Sequence, residues 1–458
     1  MKVGKISSEF ISNDIRFNAG FFLNEDALNS MKIEKHQNRC VQLHEIAKVW
    51  NPPIFKRQFC ANTERAVPYC QSSGVTNVLE GSEVYINKIQ AKKVGAIVED
   101  KQILVTGFGT IGNTRLVNEL SHGLSYANNV CRINADKNVP YGYIYAFLTS
   151  KYGRSQLNKN ASGSVVRYIE APGIKKTLIP ILPDANQQKI HNLITEASQL
   201  RVLANKLLKE SVKVLEKELM FTEDDDKFNS RQMTYSVKIG ALKPHSQRLD
   251  ASYNSLWFDN FYSKLKNAGV KLSTITDLSD RVFTPNIFKR VRTDKPELGV
   301  PFLSGSDLLS AFPKFDSYLA RKMANIDNYI LRNGWLAIQD AGTIGYITYI
   351  HDYLDGVSAT NNLIRIIPKP ESNCNPYIYA FFCTSAGQKI LSNFAFGSVQ
   401  KHIDNHQISS LRIPIFDNLF TEITGKVQSA MTSFANACFL EKTVIDIIEK
   451  EIDQWQQL

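Results

Sequence analysis

The sequence repeats itself at long range. Ile54-Phe55-Lys56-Arg57 recurs as Ile287-Phe288-Lys289-Arg290, a spacing of 287 − 54 = 233. Val67-Pro68 and Val300-Pro301 keep that spacing, as do Gly109-Thr110-Ile111-Gly112 and Gly342-Thr343-Ile344-Gly345, and Asn128-Asn129 and Asn361-Asn362. One inserted residue then moves it to 377 − 143 = 234. Tyr143-Ile144-Tyr145-Ala146-Phe147 matches Tyr377-Ile378-Tyr379-Ala380-Phe381, Gly163-Ser164-Val165 matches Gly397-Ser398-Val399, and Ile179-Pro180 matches Ile413-Pro414. At the front, Arg16-Phe17-Asn18-Ala19 pairs with Arg248-Leu249-Asp250-Ala251 at 248 − 16 = 232. A period this long is a duplicated domain, too long for a solenoid repeat.

Both copies have the same internal order. Short runs rich in Val, Ile, Tyr and Phe, punctuated by Gly, Pro and Asn, read as β-rich with a few helices. Gln102 to Thr106 and Asn362 to Ile367 are strand-like. A long helical segment then closes each copy. After Pro183, apolar or small residues fall at Ile190, Leu193, Ala197, Leu200, Ala204, Leu207, Ser211 and Val214. Steps alternating three and four are the seam of a coiled coil. The second seam is Val427, Met431, Phe434, Cys438, Ile445, Ile448 and Ile452, broken once by Glu441. Two such helices can bury their stripes against each other. An antiparallel pair of ~33-residue helices would be a rod about 50 Å long with one domain at each end. Phe221 to Gln247, with the acidic run Glu223-Asp224-Asp225-Asp226, reads as a solvated linker.

No apolar stretch is long enough to span a membrane, and Met1 to Ile6 lacks the apolar core of a signal peptide. A cytoplasmic protein is expected. Seven cysteines, an odd number with no C-x-x-C pair, are expected to be buried free thiols rather than a disulfide framework or a zinc site. The formal net charge of +10 favours a polyanionic partner, of which duplex DNA is the densest common one.

Several motifs point to chemistry and lack support in the second copy. Asn51-Pro52-Pro53-Ile54 is similar to the N-P-P-[YFW] loop of amino-methyltransferases, where an aromatic stacks on a flipped base. Here the fourth residue is Ile, and the second copy reads Thr284-Pro285-Asn286-Ile287. Gly107-Phe108-Gly109-Thr110-Ile111-Gly112 fits G-x-G-x-x-G, but a dinucleotide site also needs a helix opening at the third glycine, and Asp340 replaces the first glycine in copy two. What both copies keep is G-T-I-G, a turn between strands. His402 and His406 with Asp404 have only Tyr168 and Pro172 as counterparts, so no duplicated metal site is expected and none is assigned. No nuclease, helicase or sulfonium-cofactor motif appears.

The ordered, twice-repeated set resembles the specificity subunit of type I restriction–modification enzymes over nearly the whole length. It comprises the G-T-I-G turns, the aromatic helices at Tyr143 and Tyr377, the Gly-Ser segments, the Ile-Pro strands and the long helices. Pro183-Asp184-Ala185-Asn186-Gln187 resembles the family's P-x-x-x-Q helix start, whereas Ile415-Phe416-Asp417-Asn418 departs from it. The resemblance implies an α+β fold of two similar mixed α/β target-recognition domains in tandem pseudo-twofold duplication, separated by two long antiparallel coiled-coil helices. It divides the chain into a first recognition domain (1–186), a central helix (187–220), a linker (221–246), a second recognition domain (247–417) and a C-terminal helix (418–458).

The resemblance also implies a non-catalytic chain in which each domain reads half of a split target in double-stranded DNA. The helices would set the gap and dock two methyltransferase subunits. Those subunits would carry the adenine chemistry and bind S-adenosylmethionine, this chain holding no cofactor, and motor-nuclease subunits would join for restriction. Seam residues Ile190, Leu193, Ala197, Leu200, Leu207, Val427, Met431, Phe434, Ile445 and Ile448 are the expected docking or packing positions. Lys56, Arg57, Lys289 and Arg290 are candidate phosphate contacts. Arg167, Tyr168, Gln400, Lys401 and His402 differ between copies, as residues reading different half-sites should. Gln71, Ser72, Ser73, Ser304 and Ser306 follow the Val-Pro strands and could reach base edges. The alternatives are a self-contained adenine methyltransferase using Asn51, and a coiled-coil scaffold that binds no DNA.

Overall fold

Ile103-Leu104-Val105-Thr106 is a strand buried along its whole length. Such a run needs cover on both faces, and the first copy is built around it. The computed structural model describes residues 23–79, 81–163, 166–222, 256–342, 344–397 and 401–455. The paired segments at Arg16 and Arg248 and the acidic run at Glu223 lie outside the described residues.

In chain order the strands of the first copy are β1 (Cys40–Gln42), β2 (Ala47–Trp50), β3 (Phe59–Cys60), β4 (Ala66–Cys70), β5 (Tyr85–Asn87), β6 (Ile103–Thr106), β7 (Thr114–Leu116), β8 (Ser125–Tyr126), β9 (Val130–Ala135) and β10 (Leu178–Pro180). Those of the second are β11 (Lys271–Thr274), β12 (Ser279–Phe283), β13 (Arg292–Thr293), β14 (Gly299–Leu303), β15 (Tyr318–Ala320), β16 (Leu336–Gln339), β17 (Ile347–Tyr349), β18 (Ser358–Ala359), β19 (Leu363–Pro368) and β20 (Arg412–Ile415). Strand for strand, the second copy repeats the first. The sheets β2-β9-β6-β7 and β3-β5-β4-β8 become β12-β19-β16-β17 and β13-β15-β14-β18, and the ribbon β1-β10 becomes β11-β20. Pairing is antiparallel except at β4 with β8 and β14 with β18.

Helices in the first copy are α1 (Glu25–Glu34), α2 (Leu43–Ile46), α3 (Lys88–Lys93), α4 (Tyr141–Thr149), α5 (Lys151–Lys159), α6 (Ala171–Lys175) and the long α7 (Asp184–Glu218). In the second they are α8 (Leu256–Asn267), α9 (Ile275–Leu278), α10 (Asn375–Phe382), α11 (Ser385–Phe394), α12 (Asn405–Ser410) and the long α13 (Asp417–Gln454). The aromatic helices α4 and α10 are buried almost all round, as their sequences require. Each is tied to the Ile-Pro strand by one tyrosine. The Tyr143 hydroxyl donates to the Pro180 carbonyl at 2.8 Å and the Tyr377 hydroxyl to Pro414 at 3.0 Å.

The long helices begin differently. At α7, the Gln187 side chain donates to the Leu182 carbonyl at 2.7 Å. The start of α13 has no such glutamine; there the Tyr377 hydroxyl accepts from the Phe416 amide at 3.2 Å and its ring stacks on Phe420 at 5.0 Å. By packing, the chain divides into two units, Met1–Val202 with Ala437–Leu458, and Leu203–Asn436. α7 runs through the division at Val202 and α13 through that at Asn436.

In the first unit the leading half of α7 and the trailing half of α13 join one core. Ile190, Ile194, Val444, Ile448, Ile452 and Trp455 pack with α4 and the β2-β9-β6-β7 sheet. In the second unit the trailing half of α7 meets the leading half of α13, where Lys426 lies 3.4 Å from Glu210. The helices are thus paired antiparallel within each unit. The two copies also exchange helix caps. In the first unit Glu449 of α13 accepts from the Lys151 amide at the start of α5 (2.7 Å), and in the second Glu216 of α7 accepts from the Ser385 amide at the start of α11 (3.0 Å). Carboxylates belong at helix N-termini, and 449 − 216 = 233 is the repeat spacing.

The buried stripe of α7 corrects the expected seam. It runs Ile190, Ile194, Ala197, Arg201, Ala204, Leu208, Ser211 and Leu215. Leu193, Leu200 and Leu207 lie half-buried on its flank. A seam drawn through apolar residues alone passes over Arg201, so the second column shifts by one position. On α13, Val427, Met431, Phe434 and Ile448 are buried, while Ile445 is half-buried beside a fully buried Val444.

Phe221, read as the start of a solvated linker, packs its ring edge-on against Trp257 (5.9 Å) and Phe261 (6.2 Å). All seven cysteines are free. Burial pushes the Cys131 thiol up to about 12, but Cys60 is exposed, contrary to a uniformly buried set. No helix among the described residues is long and apolar enough to cross a membrane.

Candidate nucleic-acid interface

Gly109-Thr110-Ile111-Gly112 is a hairpin turn, and Gly342, Ile344 and Gly345 lie at the equivalent place between β16 and β17. Gly109 and Gly342 take φ of +75° and +78°, which strains any residue with a Cβ, and β6 leads through the turn into β7, and β16 into β17. No helix opens there, so the G-x-G-x-x-G match is structural. Gly107 serves a close approach: a Cβ would sit 2.4 Å from the Ile169 carbonyl.

Two further loops meet this hairpin in each copy. On one side comes the segment after the Gly-Ser motif. Phe108 and Tyr168 are bridged through their backbones and their half-exposed rings stack at 5.4 Å. The second copy has the same bridge between Ala341 and His402, and Ser162–Tyr168 is matched by Phe396–His402. On the other side comes the turn after β4 or β14, held by a buried polar side chain. The Arg115 guanidinium donates to the Val75 and Asn77 carbonyls, both at 2.9 Å. In the second copy Gln339 does this work, donating to the Gly305 carbonyl at 2.9 Å. Neither residue stood out in the sequence. Arg115 lies between Thr114 and Leu116 and Gln339 ends its strand, so neither position shows its burial in the sequence.

The predicted residues fall on these loops. Gln71 and Ser73 are exposed and Ser72 half-buried on the 3-10 turn Ser72–Val75. Ser306 is exposed, whereas the Ser304 hydroxyl donates to Asp307 at 2.6 Å and is occupied locally. Arg167 is exposed and donates to the Asn158 carbonyl. Lys401 is exposed and His402 half-buried, and Gln400 lies outside the described residues. Burial raises the Asp340 carboxyl above its ordinary range, and nearby His402 acts in the opposite direction. Asp404 caps α12 by accepting from the Gln407 amide at 2.8 Å, which gives it a structural task beside His402 and His406.

Lys56, Arg57, Lys289 and Arg290 are exposed on the loops that lead to β3 and β13. The Arg57 guanidinium lies over the Tyr69 ring at 5.5 Å, and Arg290 over Phe302 at 5.2 Å. Both pairs keep the spacing of 233, so the geometry is duplicated along with the sequence. In the first copy Gln90 clamps the loop, donating to the Lys56 carbonyl at 2.7 Å and accepting from the Gln58 amide at 3.1 Å. In the second, the Tyr329 hydroxyl holds the Asn286 carbonyl at 3.1 Å.

The Asn51 side chain has both ends engaged. Its amide donates to the Asn128 carbonyl at 3.0 Å and its oxygen accepts from the Ala171 amide at 2.8 Å. A target-amine clamp needs those same atoms, so Asn51-Pro52-Pro53 is here a structural corner. What the three-loop surface offers is a set of hydrogen-bonding and cationic side chains on a pinned frame. Such groups read base edges and hold phosphates.

A frame built twice on the same strands and turns, with different pins and different exposed polar residues in each copy, is the arrangement of a two-part target-recognition subunit. The sequence matches the type I restriction modification DNA specificity domain over residues 37–213 and 267–417, one segment in each copy, and the chain belongs to that family. Among solved structures it is similar to the S subunit of the type I restriction-modification system from M. genitalium, with 14% identity, 91% of this chain and 92% of that chain covered, and a TM-score of 0.31. It is also similar to the HsdS subunit from Thermoanaerobacter tengcongensis, with 13% identity, coverage of 91% and 96%, and a TM-score of 0.28. Scores this low decide nothing beside the family match. Comparison with curated proteins finds no match.

Proposed function

We propose that this chain is the non-catalytic specificity subunit of a type I restriction–modification complex, each copy reading one half of a bipartite target. The observation that carries this reading is the pattern of likeness and difference at equivalent positions. The frame is common: Gly109 and Gly342, Tyr143 and Tyr377, Arg57 and Arg290. The presented residues differ: Tyr168 against His402, Arg167 against Lys401. Two readers on one scaffold, each with its own contact residues, suit two different half-sites.

The long helices dock two methyltransferase subunits, which bind S-adenosylmethionine and methylate adenine, and motor-nuclease subunits join them for restriction. The complex acts in the cytoplasm. With its methyltransferase subunits present, the chain binds duplex DNA with an affinity that falls steeply as salt rises. Salt-independent or absent binding would favour a scaffold. Equilibrium dialysis of the chain alone against the methyl donor should show no tight binding; tight binding would instead make it a methyltransferase.

A further inference from the structure

Ile54 and Ile287 are the most exposed large apolar side chains described, at 88% and 89%. Single exposed aliphatics are ordinary. Here the same residue stands at the same place in both copies, and its surroundings are built alike. Phe55 and Phe288 turn inward, Phe55 against the Val67, Tyr69 and Ile86 core and Phe288 against the Val300, Phe302 and Leu319 core. Lys56 and Lys289 stay in solvent, and Arg57 and Arg290 are held over aromatic rings. The loop is anchored by its phenylalanine, fixed by its arginine, and presents an isoleucine. Nothing within either core requires that isoleucine.

Residues that differ between copies suit the parts of the target that differ. A surface element kept identical suits something both copies meet in the same form. The neighbouring lysine and arginine make that common feature polyanionic. We propose that Ile54-Phe55-Lys56-Arg57 and Ile287-Phe288-Lys289-Arg290 are paired, sequence-independent contacts to the DNA duplex. The isoleucine tips lie against sugars and base faces in a groove, and the basic side chains hold the flanking phosphates. Apolar side chains inserted in this way contribute affinity without a hydrogen-bond code. This rests on the DNA-recognition reading and adds an element that reads no sequence.

The test uses the full chain, alone and with its methyltransferase subunits, and a duplex of random sequence as probe. I54A/I287A should bind roughly tenfold more weakly from the lost apolar contact, with an unchanged slope of log affinity against log salt. K56A/R57A/K289A/R290A should lower that slope by about 0.9 for each phosphate contact removed. Ile54 and Ile287 are exposed and pack on neither core, so the unfolding midpoint of I54A/I287A should match the parent chain and exclude misfolding, and K56A/K289A, which leaves the ring-held arginines in place, gives the same control for the basic set. If the parent binds the duplex and I54A/I287A binds it equally well, the proposal fails and a protein partner covers the tips. If the parent itself shows no salt-dependent binding, the DNA-recognition reading fails with it.

Discussion

Arg201 of α7 and Glu441 of α13 form a buried ion pair, 8% and 2% exposed, within the first unit. The Tyr145 hydroxyl of α4 donates to the same carboxylate oxygen at 3.1 Å. Burial alone would lower the Arg201 pKa, but the adjacent Glu441 carboxylate outweighs it and the net shift is upward. The one break in the α13 seam is thus the partner of the residue missing from the α7 seam. Removing one member strands a charge in the core. Glu441→Leu should cost about 3–5 kcal/mol, whereas Arg201→Met with Glu441→Leu should recover most of that. Denaturant unfolding of the two single variants and the double variant measures the coupling. Additive losses would show that the two residues do not act as a pair.

Arg132 and Arg365 occupy equivalent strand positions and are almost fully buried. Their guanidinium groups hold backbone carbonyls: Ala96 and Tyr126 at 3.1 and 2.9 Å in the first copy, Leu363 and Thr360 at 2.9 and 3.2 Å in the second. Burial lowers both to about 10. Substitution to Met should cost about 1–3 kcal/mol for each buried carbonyl left without a donor. Hydrogen exchange should place the loss around β8 and β9 for Arg132→Met and around β18 and β19 for Arg365→Met. A diffuse loss across both copies would contradict this account.

Asp453 near the end of α13 accepts from the Tyr152 hydroxyl and from Lys151 at 3.1 Å, with Lys32 3.6 Å away. Partial burial would raise its pKa, but these partners outweigh it and hold the carboxyl below its ordinary value. A carboxylate with a lowered folded pKa stabilises above its unfolded value, about 3.9, and that stability is lost as pH falls further. Asp453→Asn should therefore unfold more readily than the parent at pH 7, and the gap should close below about pH 4. An unchanged gap at low pH would place the effect in packing instead.

The duplication made most of the frame legible. Gly109 and Gly342, Tyr143 and Tyr377, and the long helices could all be read because each feature occurs twice. Charged and polar residues inside apolar runs were not legible. Arg201, Arg132, Arg115 and Gln339 look like surface residues in sequence, and only the fold shows the carbonyls and the carboxylate they satisfy. Among the candidate contacts, Ser304 lost its free hydroxyl to Asp307, three residues away, because local hydrogen bonds of this kind depend on the turn geometry. Lys56-Arg57 and Lys289-Arg290 could be found from the repeat, but the rings beneath Arg57 and Arg290 could not.

In the proposed function each copy reads its own half of a divided target. Selection of bound duplexes from a random library, with the chain and its methyltransferase subunits assembled, tests it directly. The parent should select two short words separated by a fixed gap. Arg167→Ala with Tyr168→Ala should relax one word only, and Lys401→Ala with His402→Ala should relax only the other. A single contiguous word, or both words relaxing together, would contradict the account.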